Sequence, residues 1–130
     1  MRLLLDTHVW IQSAESPLGL NARIRRELVR STNELYLSPV SIWEAQQLVR
    51  RNRVRLKRGF REWLEVVFER TPIREAPFTF QVAREAASIH LPQPDPGDLF
   101  LAATAIVYDL TLVTADPQLL ELKGLKTLAA

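Results

Sequence analysis

The sequence predicts an α/β domain on a mostly parallel sheet flanked by helices. Three observations carry that prediction: short apolar runs of strand length, amphipathic helical stripes alternating with them, and Pro-, Gly- and Ser-containing joins between the two. The 130 residues suffice for one domain with one core, spanning 1–130.

Taken in order, Arg2–Leu5 reads as a buried strand, and Leu20, Ile24 and Leu28 recur at helical spacing up to Arg30. Glu34–Leu37 makes a second strand. Ser38-Pro39 and Ser41 then supply helix-start chemistry for a helix running to about Arg51. Phe60, Trp63, Leu64 and Val67 fall at i, i+3, i+4 and i+7, another amphipathic helix that Pro72 closes. Ile73–Ala76 is a brief strand, followed by a helical stripe of Phe78, Val82, Ala86 and Ile89. The three prolines between Leu91 and Gly97 predict a loop over that stretch, with a new helix opening at Asp98. Thr111–Thr114 reads as a buried strand, Asp116-Pro117 as a short helix start and Leu125–Leu128 as a last strand.

Composition narrows the chemistry. Apolar residues make up 47% and charged residues 25%, the balance of an ordinary globular protein, and no apolar run approaches the ~18–20 residues a membrane span needs. The apolar start is too short for a signal peptide and is interrupted by Asp6, so the expected location is the cytoplasm. Without cysteine there is no disulfide frame, thiolate zinc site or cysteine nucleophile. The net charge is only +2, yet Arg50, Arg51, Arg53 and Arg55 begin a basic run free of acidic residues, a candidate phosphate-contacting patch or simply a solvated loop and helix edge.

Four acidic residues stand where an α/β sheet would gather them. Asp6 ends the first apolar run and Asp116 lies just past the run at 112–114, so both emerge at the carboxyl edge, where such sheets bind ligands. Asp98 opens a helix, and Glu44 falls in the first turn of another, off its apolar stripe. Structural alternatives exist: Asp98 and Asp116 as N-caps, Glu44 as the end of a Ser41–Glu44 capping box. Asp6 resists such a reading, because a carboxylate straight after three leucines needs a partner. Like charges gathered at one edge call for a neutralising cation, and oxygen donors without cysteine favour Mg²⁺ or Mn²⁺ over zinc. The matching chemistry is phosphodiester hydrolysis.

The segments Leu4–Trp10, Leu37–Glu44, Asp95–Asp98 with Ala102–Ala105 following, and Leu112–Asp116 resemble, in order and spacing, the PIN-domain family, and within it the VapC-type toxins of toxin–antitoxin pairs. That resemblance implies a metal-dependent endoribonuclease with an active site of Asp6, Glu44, Asp98 and Asp116. Asp6 and Asp98 would lead as ligands of Mg²⁺ or Mn²⁺, with Glu44 and Asp116 acting directly or through water. It further implies supporting hydroxyls on Thr7 and Thr114, an RNA substrate, a cognate antitoxin protein and a homodimer. Two positions depart from the family pattern, Leu48 where many relatives have Lys and Leu99 where many have Arg, each removing a positive charge expected near the pocket.

Other readings of the same residues are an RNA- or protein-binding module without cleavage and a different Mg²⁺ enzyme on a similar sheet. An aspartyl-phosphate phosphatase would place a second Asp at position 8, where this chain has His8; a receiver domain would show paired acids and a late Lys. Trp10, Trp43 and Trp63 are expected in the core rather than stacked on bases. His8 is expected to be a packing or helix-start residue and His90 a structural one, and Asp95 is expected to be a further acid or a turn former.

Overall fold

The computed structural model describes all residues, 1–130. Its centre is β1 (Arg2–Leu5), which pairs in parallel with β2 (Glu34–Leu37) on one side and β4 (Thr111–Thr114) on the other. The edges are β3 (Arg74–Glu75) beside β2 and β5 (Thr127–Ala129) beside β4, giving the order β3-β2-β1-β4-β5. Every pair is parallel, so all five strands end at one edge of the sheet.

A central parallel strand is covered on both faces, which is why Leu3, Leu4 and Leu5 are all buried without polar alternation. Successive side chains still point opposite ways. Leu3 and Leu5 join a core with Trp10 of α1 (Thr7–Glu15), Ile24 of α2 (Ala22–Val29), Ala45 of α3 (Pro39–Arg50) and Trp63 of α4 (Phe60–Arg70). Leu4 joins the opposite core with Leu101, Ala102 and Ala105 of α6 (Pro96–Tyr108) and Leu119 of α7 (Pro117–Leu120). Further out, α5 (Phe80–Ala87) packs on α6 through Val82, Ala86 and Ala103.

Trp10 and Trp63 meet edge to face at 5.2 Å in the first core. Truncating a tryptophan so buried costs about 3–5 kcal/mol, a large share of a domain's net stability. No helix is long and apolar enough to cross a membrane.

The structure departs from the sequence reading at several elements. The helix α1 has no apolar stripe, because Val9, Trp10 and Ile11 are consecutive and buried between the sheet and its neighbours. The loop before α6 ends at Asp95: Pro96 takes the first helical position, where a missing N–H is no loss, and Asp95 caps the helix by accepting from Gly97 N at 2.8 Å. Thr79 caps α5, accepting from Val82 N at 3.3 Å, so Phe78 and Ile89 flank the helix rather than belong to it. After α7, Gly124 turns the chain at φ 85°, and pairing resumes only when Thr127 comes opposite Leu112.

Candidate active site

At the carboxyl edge of the sheet lies a cavity of about 790 Å³ bordered by Asp6, Glu44, Asp95, Asp98 and Asp116. Each of the four carboxylates singled out from the sequence arrives on a different element: the end of β1, the second turn of α3, the first turn of α6 and the start of α7. Chain topology, not sequence proximity, brings them together.

Asp6 continues the ladder for one residue, donating its N–H to Val113 O at 3.0 Å, and is 8% exposed. It stands at the N-cap position of α1 without using its side chain as a cap. Its Oδ2 instead accepts from Thr114 Oγ1 at 2.7 Å, and the same hydroxyl accepts from Asp116 N at 3.1 Å. Thr114 thus ties the Asp6 carboxylate to the backbone that carries Asp116. Asp116 does cap α7, accepting from Gln118 N at 2.9 Å, so its structural role and its place in the cavity coexist.

Glu44 is not the end of a capping box. Ser38 caps α3 by accepting from Val40 N, Ser41 is inside the helix and fully buried, and Glu44 Oε1 accepts from Thr7 Oγ1 at 2.7 Å across to α1. Thr7 Oγ1 also lies 2.9 Å from Ser41 Oγ. On its other side the Glu44 carboxylate meets Gly97 so closely that a Cβ there would overlap Oε2. Ser41, read from the sequence only as a helix-start residue, and Gly97, not singled out, therefore shape the site; the signal for Gly97 is its place between Pro96 and Asp98, where the first turn of a helix passes a carboxylate.

Asp98 is not an N-cap, since Asp95 fills that position. Burial, then the carboxyl of Asp116 beside it, push its pKa up to about 7. Burial also raises that of Glu44 against the opposing Thr7 hydrogen bond. None of the four carboxylates forms a salt bridge.

No three His, Asp or Glu side chains are drawn tightly enough to close on one ion by themselves. Mg²⁺, however, commonly keeps several waters and takes only one or two carboxylates directly. A set of carboxylates around a roomy space, crowded enough to retain a proton near neutrality, fits a hard divalent cation on its donor chemistry.

Of the arginines in the basic run, Arg51 borders the cavity, whereas Arg50, Arg53 and Arg55 are exposed away from its lining. Trp10 and Trp63 are buried as expected, but Trp43 is 61% exposed at the cavity rim. His8, the second residue of α1, is exposed there too rather than packed, and His90 is exposed on the surface. Leu48 lines the cavity, while Leu99 does not and packs against the two cores around α6, so only position 48 bears on the charge of the site.

A model of the PIN domain family matches residues 3–125. Ribonuclease VapC22 of Mycobacterium tuberculosis is 30% identical over 120 residues, covering 90% of this chain and 88% of the relative. Among solved structures, VapBC2 from Rickettsia felis, bound to a DNA fragment from its promoter, superposes with a TM-score of 0.75 at 18% identity, over 99% of this chain and 98% of that one. VapBC-5 from Mycobacterium tuberculosis, a member of the VapBC family of toxin–antitoxin systems, does so with a TM-score of 0.58 at 17% identity over the same shares, 99% and 98%.

Proposed function

The chain belongs to the PIN-domain family, and from that premise we propose that it is a divalent-metal-dependent endoribonuclease, the toxin of a toxin–antitoxin pair, hydrolysing RNA phosphodiester bonds at Asp6, Glu44, Asp98 and Asp116. The observation that carries this reading is the meeting of four carboxylates from four elements at one cavity, none of them paired with a cation of the protein. An RNA substrate makes the cytoplasm its place of work. A cognate antitoxin protein restrains it, and the working unit is a homodimer.

Asp6 and Asp98 hold the ion, Mg²⁺ or Mn²⁺, with Asp116 and Glu44 completing the set directly or through water. When bound, such an ion supplies Lewis acidity toward the phosphate oxygens. The protein's part is positioning. Thr114 fixes Asp6 through Oδ2, and Asp6 lines the cavity. Thr7 and Gly97 grip Glu44 from two sides, the Thr7 hydroxyl donating to its Oε1. Buried donors of this kind spare the site reorganisation when charge develops. Arg51 offers a phosphate contact at the rim, and Arg50, Arg53 and Arg55 add a diffuse attraction for RNA from outside it.

The test is cleavage of total RNA by the wild-type protein and by Asp6→Asn, with Mg²⁺ or Mn²⁺ and then with EDTA. Residues that merely hold a metal's ligands are worth about 10–100-fold, so loss of a ligand should cost more than about 100-fold, and EDTA should abolish cutting. A folded Asp6→Asn that cuts as well as the wild type, or wild-type cutting indifferent to EDTA, sinks the reading.

A further inference from the structure

The helix α3 leads outward from the acidic site. Trp43 and Gln47 on it, and Arg51 at its C-cap, recur at four-residue spacing and border the cavity, beside Glu44 and Leu48. From Glu44 to Arg51 is seven residues, a rise of roughly 10 Å, the scale of a nucleotide or two rather than of a long groove.

Two features of this strip stand out against the rest of the lining. Trp43 is the one tryptophan the core does not take, and it is 61% exposed with none of the molecule's aromatic pairings. Arg51 is the only permanently cationic side chain on a cavity bordered by five carboxylates, and it forms no salt bridge. An exposed indole with a free guanidinium about two helical turns away matches the two needs of single-stranded nucleic acid, a flat face for a base and a charge for the backbone. A base in a duplex cannot offer its face, since both sides are already stacked on neighbours.

Resting on the ribonuclease reading, we propose that Trp43 and Arg51 form a nucleotide-binding subsite for unpaired RNA. Trp43 stacks on a base next to the scissile phosphate, and Arg51 takes a phosphate further along the strand. The neighbours of Trp43 along the strip are Gln47 and Arg51, polar groups that suit a nucleotide better than an apolar peptide.

Binding and cutting of one short RNA, presented single-stranded and as a full duplex, test this with Trp43→Ala, Trp43→Phe and Arg51→Ala. Binding is read with the cleavage-deficient Asp6→Asn as background. Trp43→Ala should weaken single-strand binding about 10-fold, the scale of one base–aromatic stack, and lower kcat/KM alongside. Trp43→Phe, which keeps a ring, should restore most of it. Arg51→Ala should weaken binding and flatten its salt dependence. The wild type should cut the single strand well over the duplex. Trp43→Ala equal to the wild type, Trp43→Phe as weak as Trp43→Ala, or equal cutting of strand and duplex overturns the proposal, while loss of cutting in Asp6→Asn still upholds the ribonuclease. A Trp43→Ala variant that binds RNA normally but no longer binds an antitoxin also overturns it and makes Trp43 a protein contact. Because Trp43 is exposed, none of these outcomes depends on refolding.

Discussion

At the amino end of the sheet, Glu34 lies 3.5 Å from Arg74 and Asp109 lies 2.7 Å from Lys126. At the carboxyl end, Asp6, Glu44, Asp98 and Asp116 border one cavity with no ion pair among them. The acidities follow. The hydrogen bond from Tyr36, then Arg74, lowers the pKa of Glu34, and Lys126 lowers that of Asp109, whereas burial raises Glu44 and Asp98. One end has been settled by the protein's own cations, at exposed positions where such pairs contribute little. The other keeps its negative charge unsettled at a cost in stability, the mark of a site built for a ligand.

Asp98→Asn should break this contrast most sharply. Cleavage should fall by more than about 100-fold, since a ligand matters at least as much as the groups that hold it. Thermal melting at pH 8 should be unchanged or higher, because one of two crowded charges is gone. A loss of stability with retained cleavage would mean that Asp98 is structural.

Titration gives a second, smaller effect. The folded pKa of Asp98, about 7, lies above its ordinary 3.8, so the folded chain holds a proton that the unfolded chain has released. Its contribution to stability is complete below the ordinary value and is lost as the pH rises through the folded one. Metal-free protein should therefore melt at a lower temperature at pH 8 than at pH 5, and Mn²⁺ should raise the melting temperature more at pH 8. Asp98→Asn should flatten both trends; a metal-induced rise that is independent of pH and of Asp98 would contradict the assignment. Glu34 and Asp109 titrate in the opposite sense, adding stability above the ordinary carboxylate range and losing it on acidification.

The smallest effect is expected at the other end. Asp109→Asn should leave cleavage unaltered and barely move the melting temperature, less still in high salt, because the Lys126 pair is in open solvent. A loss of cleavage there would erase the difference between the two ends.

Much of this was legible in the residues themselves. β1 and β4 are buried continuously over Leu3–Leu5 and Leu112–Thr114 because central parallel strands are covered on both faces, and Asp6 breaks such a run with a charge that has no local use. Less could be read where tertiary contacts decide. The stretch Val9-Trp10-Ile11 is buried by neighbours on several sides and so hides a helix. Ser41 and Glu44 have the spacing of a capping box, but the cap had already been supplied by Ser38, and the partner of Glu44 is Thr7, 37 residues away. Trp43 and Trp63 have the same composition-based expectation of burial; only the packing of α3 leaves one of them facing out. The grouping of the four acids followed from where an α/β sheet ends its strands and starts its helices, and the family resemblance added their roles.

Gly97 has a practical consequence. The first turn of α6 passes the Glu44 carboxylate with room for a hydrogen and nothing larger. A methyl group at that point would displace the Glu44 carboxylate and crowd Asp95 Oδ1, yet it would remove no acidic residue, neither hydroxyl and no surface charge. Gly97→Ala thus offers a disarmed form of the protein whose outside is that of the original, suited to production in living cells and to capturing whatever binds it, in the way a toxoid stands in for a toxin.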